Sequence, residues 1–234
     1  MQKYKTQGGA SMTGKFYLYG DSLLKATVPD EEFRYHFHAA ELLGGHPEVV
    51  SRAMMGATVR KGRQLVERDA ARGFDAQYAL VGYGGNDSDF DWQAISDDPT
   101  GEHKPRTELP EFRRILAETV ELLRQKGVQP ILMTLPPIDA EKYLRFVCRG
   151  GADRGRILSW LGDCQMIYRY QELYSDTVAA VAAEQSVPLI PVRRAFLWDL
   201  NCCRMISADG IHLNMTGYRR LFDTIGQWAR ENLA

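Results

Sequence analysis

No stretch of this 234-residue chain approaches the roughly 18 consecutive apolar residues of a membrane span. Charge of one sign is lacking too. Lysine and arginine number 29 against 30 acidic residues, for a formal net charge of -1, and no basic stretch stands out. That removes the electrostatic footprint of a nucleic-acid binder and leaves a neutral surface suited to a small-molecule or neutral-polymer ligand. Cysteine is scarce: Cys148, Cys164, Cys202 and Cys203 show no metal-type spacing, and adjacent Cys202-Cys203 cannot easily pair with each other. Met1 to Lys15 is polar and has no apolar core of a signal peptide, so residues 1–14 read as a disordered leader. With no export signal, reduced thiols in a cytoplasm are expected. Repeats, low-complexity segments and linkers are also missing, which favours one domain over residues 15–234.

What is present is ordinary globular composition, 44% hydrophobic and 25% charged, arranged in alternating patterns. Short apolar runs at Phe16–Tyr19, Val49–Ala53, Tyr78–Gly82, Ile131–Thr134 and Pro188–Val192 predict strands. Helical patterns fall between them at Glu31–Leu43, ending at Gly44-Gly45, and at Val59–Arg72, Glu111–Lys126 and Met166–Gln185. A last helix, Met215–Asn232, has Asn214 as its cap. Strands alternating with helices predict a mostly parallel sheet covered on both faces, an α/β fold. Asp87 to Leu109 and Ile138 to Gln165 are too long for simple connections. Each follows a strand, so each is expected to wall or cover a site at the carboxyl edge of the sheet.

Candidate chemistry gathers at that edge. Gly20-Asp21-Ser22-Leu23 follows the first strand and sets a hydroxyl where open α/β sheets keep reactive groups. In Asp209-Gly210-Ile211-His212, before the last helix, the imidazole is a base that titrates near neutrality. Asp209, three residues upstream, can reach its far nitrogen in a tight turn. Gly84-Gly85-Asn86-Asp87 follows the third strand, and the Asn86 amide is a suitable oxyanion donor. Gly56, after the second strand, offers a backbone N–H as a further donor. Each signal alone is weak: a helix cap, an Asp-Gly turn, an Asn-Asp turn and a lone glycine. Their convergence on one sheet edge carries the prediction.

These four blocks, in this order, resemble those of the SGNH, or GDSL-type, esterases and lipases, and they span nearly the whole chain after Lys15. The resemblance implies a three-layer α/β/α flavodoxin-like sandwich with a five-stranded parallel sheet. It implies Ser22 as nucleophile, His212 as base and Asp209 as its orienting acid. It implies an oxyanion hole from the Ser22 N–H, the Gly56 N–H and the Asn86 side chain. The second block departs from the family, which often carries an Asn before its glycine where Ser51-Arg52-Ala53-Met54-Met55 stands here.

The expected activity is serine ester hydrolysis through an acyl-enzyme, without metal or organic cofactor. The substrate expected is a small-molecule or carbohydrate ester, with no nucleic-acid or membrane partner and with a homo-oligomer left open. The polar composition of the two long segments suggests a short acyl group, such as acetyl, on a polar or carbohydrate alcohol. A thioesterase or lysophospholipase using the same triad is the alternative of the same chemistry; a non-catalytic binding module that keeps the fold and, on fold alone, a flavodoxin-type electron carrier are the alternatives from other classes. Asp21, Trp92, His103 and Trp160 are the candidate substrate contacts. His36, His38 and His46 are assigned structural roles. Arg145, Arg149, Arg154 and Arg156 read as a solvated face rather than an anion site.

Overall fold

A computed structural model describes residues 15–43 and 49–233. The expected leader, the Gly44-Gly45 stop and His46 lie outside the described residues. The chain opens with β1 (Phe16–Gly20), a hairpin of β2 (Thr27–Pro29) and β3 (Tyr35–Phe37), and a single helical turn, α1 (Ala39–Leu42). Then come β4 (Val49–Ser51), α2 (Val59–Arg72), β5 (Tyr78–Gly82), α3 (Trp92–Asp97), α4 (Leu109–Gln125) and β6 (Gln129–Met133). The last third holds α5 (Ala140–Cys148), α6 (Arg154–Leu161), α7 (Met166–Glu184), β7 (Leu189–Ile190), α8 (Val192–Leu197) and α9 (Met215–Asn232).

Five strands form one parallel sheet in the order β4-β1-β5-β6-β7. The alternation of β1 decides the layers. Tyr17 and Tyr19 enter a core with Val66 of α2, Leu116 of α4 and Val178 of α7. Phe16 and Leu18 enter the opposite core with Phe196 of α8 and Leu221 and Phe222 of α9. The result is the expected three-layer α/β/α sandwich. Strand order reverses at β1, so a crevice opens between the carboxyl ends of β1 and β5, where such sheets bind ligands. Gly20 and Gly82 lie level with each other in the register of these two strands. The segments that follow them therefore leave the sheet side by side.

Two expectations need correction. Glu31–Leu43 is not one helix. The Asp30 carboxylate accepts the N–H groups of Glu32 (3.0 Å) and Arg34 (2.9 Å), and Phe33 takes a left-handed φ of 63°. This local turn competes with helix formation and folds β2 back on β3. Only Ala39–Leu42 stays helical. The two long segments, in turn, are not loops throughout. Asp87–Leu109 contains α3, and Ile138–Gln165 contains α5 and α6. Asp91, Asp139 and Asp153 cap these three helices, each accepting a backbone N–H three residues on at 2.8–3.0 Å. Together with the start of α7 they build a third apolar cluster around Phe90, Trp92, Tyr143 and Ile157. The insertion arginines knit this cap together. Arg154 pairs with Glu141 at 3.0 Å, Arg156 donates to the Ser96 and Asp97 carbonyls, and Arg149 lies over the Phe33 ring.

Candidate active site

β1 delivers the first reactive group. Beyond Gly20 the chain turns tightly, with Lys25 N–H donating to Asp21 O and Thr27 N–H to Ser22 O. Ser22 opens no regular helix; it sits in this turn, 8% exposed. Asp21 is buried beneath it. Its Oδ1 accepts the Leu23 N–H at 2.9 Å and its Oδ2 accepts Asn86 Nδ2 at 3.2 Å. Burial pushes the Asp21 carboxyl up to about 6, against the Leu23 N–H and the nearby His212, which favour its charge.

The second group comes from the turn before α9. Asp209 is fully buried, and His212 is 4% exposed. Asp209 Oδ2 lies 2.6 Å from His212 Nδ1, while Oδ1 accepts the N–H groups of Ile211 (3.2 Å) and His212 (3.0 Å). Burial works against the Asp209 charge, but the hydrogen bond and charge of His212, with these two N–H groups, hold its pKa below the usual carboxylate range. A carboxylate that stays charged fixes the proton on Nδ1 and leaves Nε2 free to act as a base. The Tyr35 ring, from the unexpected hairpin, packs 5.2 Å from the imidazole centroid.

Gly210 makes this turn possible in two ways. Its φ is +82°, which favours glycine. A Cβ there would also stand 2.3 Å from Tyr143 N and 2.6 Å from Asp139 O. The first turn of α5 thus lies backbone to backbone on the Asp209–His212 turn, joined by Asp139 N–H donating to Gly210 O at 2.8 Å. Asn214 then caps α9, accepting Gly217 N–H at 3.1 Å.

The third group follows β5. Asn86 Nδ2 donates to Ala57 O at 3.1 Å as well as to Asp21, so both amide protons are engaged. Asp87 turns the other way, and its carboxylate accepts Val59 N–H, the first of α2, at 3.0 and 3.1 Å. It therefore holds the segment after Gly56 against the segment after β5. Burial raises its pKa to about 6. Gly56 itself is exposed in a turn at φ +72°. That turn is pinned to β1 by Met54 N–H donating to Gly20 O at 3.0 Å.

One cavity of about 230 Å³ joins these parts. Asp21, Ser22, Asn86 and His212 line one end, with Asp209 behind His212; no hydrogen bond links Ser22 to His212 among the described residues. Such contacts are often long in ligand-free enzymes and tighten when substrate binds. The rest of the wall is carbon-rich: Phe90, Trp92, Ile138, Tyr143, Trp160 and Tyr170. Two sequence-derived candidates stay outside the lining. Gly56 lies in its exposed turn, and His103 hydrogen-bonds Asp98 O at 2.7 Å and packs edge-on against Trp160 from outside. Ile138 and Tyr143 lie in a segment expected to wall the site, whereas Tyr170, within α7, went unassigned because nothing local to it signals a wall. Among the described residues no three His, Cys, Asp or Glu side chains gather to hold a metal ion, and no helix is long and apolar enough to cross a membrane.

Comparison with known proteins gives a consistent picture. An isoamyl acetate-hydrolyzing esterase of Saccharomyces cerevisiae is 24% identical over 223 residues, covering 90% of this chain and 84% of the yeast protein. A GDSL esterase/lipase of Arabidopsis thaliana is 26% identical over 232 residues, covering 94% and 87%. The fold is shared with a lipase/acylhydrolase from Enterococcus faecalis (TM-score 0.61, 19% identity, 93% of this chain and 95% of that one). It is shared as well with Axe2, an acetylxylan esterase from Geobacillus stearothermophilus (TM-score 0.63, 18% identity, 93% and 94%). The model of the GDSL-like lipase/acylhydrolase family matches residues 18–220, from within β1 to the first half of α9. The match runs through all of the turns described above, and the chain belongs to that family, as a hydrolase of ester bonds.

Proposed function

We propose that Ser22 is the nucleophile of a serine carboxylic-ester hydrolase, with His212 as base and Asp209 as its orienting acid. The observation that carries this is the 2.6 Å Asp209–His212 pair set in the same cavity wall as Ser22 and Asn86. The likeness to Axe2 adds support. Its catalytic mutants replace a serine, an aspartate and a histidine three residues after that aspartate, which is the spacing of Asp209 and His212.

His212 Nε2 takes the Ser22 proton as Oγ attacks the ester carbonyl, and the imidazolium is stabilised by Asp209. The oxyanion receives hydrogen bonds from the Ser22 N–H and from Asn86, which gives up its contact with Asp21, the longer of its two. The Gly56 N–H supplies a third once substrate draws its turn inward. His212 then protonates the leaving alcohol and activates the water that frees the acyl group from Ser22. The whole cycle runs within a single domain over residues 15–234 and calls on no cofactor. The four cysteines are unbonded, in keeping with a reducing cytoplasmic setting.

The acyl group proposed is short, acetyl being the simplest. The polar or carbohydrate alcohol expected from composition has the likeness to Axe2 in its favour, but the lining does not favour it. Polar residues of the insertions tie helices together or face solvent, and aromatic carbon faces the cavity. The same lining gives the thioesterase or lysophospholipase alternative a specific footing, as a channel for a longer acyl chain. A fluorophosphonate should label Ser22, and a panel of p-nitrophenyl esters should show activity highest at short acyl chains. Absence of both labelling and turnover would overturn the esterase mechanism, whereas a maximum at long chains would favour the second reading.

A further inference from the structure

Besides Asp21 beneath Ser22, the cavity wall holds a carboxylate that the mechanism does not use. Asp89 follows Asn86 by three residues and lies at the cavity wall, its side chain 15% exposed. Its Oδ1 accepts two hydrogen bonds, from Trp92 Nε1 at 2.8 Å and from Tyr143 Oη at 2.7 Å. Trp92 belongs to α3 and Tyr143 to α5, so one oxygen joins the two insertions across the cavity wall. The rings meet edge to face, 6.1 Å between centroids at 82°. On its outer side Asp89 Oδ2 faces the Arg106 guanidinium at 3.3 Å, and the Arg106 N–H donates to Asp89 O at 2.8 Å. Both rings direct their donors at Asp89, and Trp92 Nε1 lies 3.3 Å from Tyr143 Oη as well, so what they present to a ligand is apolar. With its inner oxygen taken twice and its outer one facing arginine, Asp89 is poorly placed to receive a substrate proton.

We propose that Asp89 is a positioning residue that sets the size of the aromatic chamber by holding Trp92 to Tyr143, and that the chamber takes a compact apolar group of the ester. The proposal rests on the esterase reading above. The apolar group belongs to the alcohol or to the acid, and the same lining chemistry recognises either. Without Asp89 the Tyr143 hydroxyl loses its acceptor and Trp92 Nε1 keeps only its longer contact with Tyr143 Oη, 3.3 Å, so the two rings would relax into the cavity or away from it. The fit to a bulky group would suffer more than the attack on the carbonyl. A hydrophobic pocket discriminates roughly tenfold or more per misplaced methylene, so a shifted wall should be read first in selectivity.

The test uses two ester series with the full-length chain: acetates of ethanol, butanol, isoamyl alcohol and benzyl alcohol, and ethyl esters of the matching acids. The wild type should prefer the compact bulky groups in one series, which identifies the side of the ester that enters the chamber. Asp89→Ala should lower kcat/KM for the preferred bulky ester by about tenfold, mostly through KM, and for ethyl acetate by only about twofold. Asp89→Asn, whose amide oxygen can still accept from both rings, should recover most of the preference. Arg106→Gln should keep it. Should Asp89→Ala fail to fold, Trp92→Phe and Tyr143→Phe each remove one of the two hydrogen bonds and should blunt the same preference. An equal loss on every ester, carried in kcat, would overturn the positioning role, as would unchanged selectivity in both ring variants. A wild type that hydrolyses ethyl acetate and labels at Ser22 but shows no size preference overturns this inference alone. A wild type that does neither overturns the esterase reading with it.

Discussion

The Asp209–His212 turn and the Asp89 clamp both bury a carboxylate and give it two or more donors, yet they pull its chemistry in opposite directions. Asp209 faces the His212 imidazole, the base of the proposed mechanism, and two backbone N–H groups, and its pKa is held low. Asp89 faces an indole and a phenol in a dry wall, and burial raises its pKa despite the Tyr143 hydrogen bond and Arg106. In the proposed mechanism the first carboxylate has to remain an anion for the imidazolium to form. The second holds two rings and needs only acceptor oxygens. In this reading the kind of donor that meets each carboxylate divides the two between reaction and shape.

The division predicts damage of two kinds. On the catalytic side, Ser22→Ala should reduce hydrolysis of every ester alike, by roughly 10⁴-fold or more, with an unchanged melting temperature. Residual activity that still tracked ester size would blur the division. Asn86→Ala should lower kcat by about 10²–10³-fold with little change in KM, seen in steady-state kinetics on one short ester. Gly210→Ala strikes the seam between the two regions, because its Cβ meets the α5 backbone at 2.3 Å and its φ is left-handed. A loss of about 2–4 kcal/mol in urea unfolding, with both turnover and size preference impaired, is expected. In the chamber, Trp160→Ala should act by substrate, raising KM for bulky esters by about tenfold and for small ones less, which the two ester series would show.

The smallest effect concerns pH. Asp87 has a folded pKa of about 6 against an ordinary 3.8, so the folded state holds its proton more tightly than the unfolded one. Its stabilising contribution is full below 3.8 and fades as pH rises toward 6. Asp209, with a lowered pKa, acts with the opposite sign: its contribution is present above 3.8 and is lost as pH falls through its folded pKa. Melting temperatures measured from pH 3 to 8 should therefore differ in slope between the wild type and Asp87→Asn across 3.8 to 6. Parallel curves would show that Asp87 ionises in the folded protein as it does in the unfolded chain.

The gathering of Ser22, Asn86, Asp209 and His212 was legible in the sequence because each part is local. Gly20-Asp21-Ser22, Gly85-Asn86 and Asp209-Gly210-Ile211-His212 carry their geometry in a few residues beside a strand end or a helix cap. The strands of the parallel sheet were legible as short unbroken apolar runs, and the helices α2, α4 and α9 by their strong apolar periodicity. The hairpin was not, because Glu31–Leu43 holds enough helix formers to hide the Asp30 turn, and Tyr35 was lost with it. Nor was the character of the chamber. Asp91, Asp139, Arg154 and Arg156 make the insertions look polar, but they cap and tie helices. The wall arises only when Phe90, Tyr143, Trp160 and Tyr170, up to 80 positions apart, are brought together. Composition cannot report which way a side chain faces after such a closure.

The contact of Gly210 with α5 also bears on how this protein can diversify. The turn that aims the histidine is the surface on which one wall of the pocket is laid. Changes that slide α5 to admit a new substrate will be felt at the base, and most will be rejected before they are tried as specificities. The atoms nearest Gly210 are those of α5 and its cap, whereas α3 and α6 bring Trp92 and Trp160 to the chamber, and there variation has more room to accumulate. New preferences among descendants of this chain should accordingly be written in α3 and α6, with α5 kept nearly still.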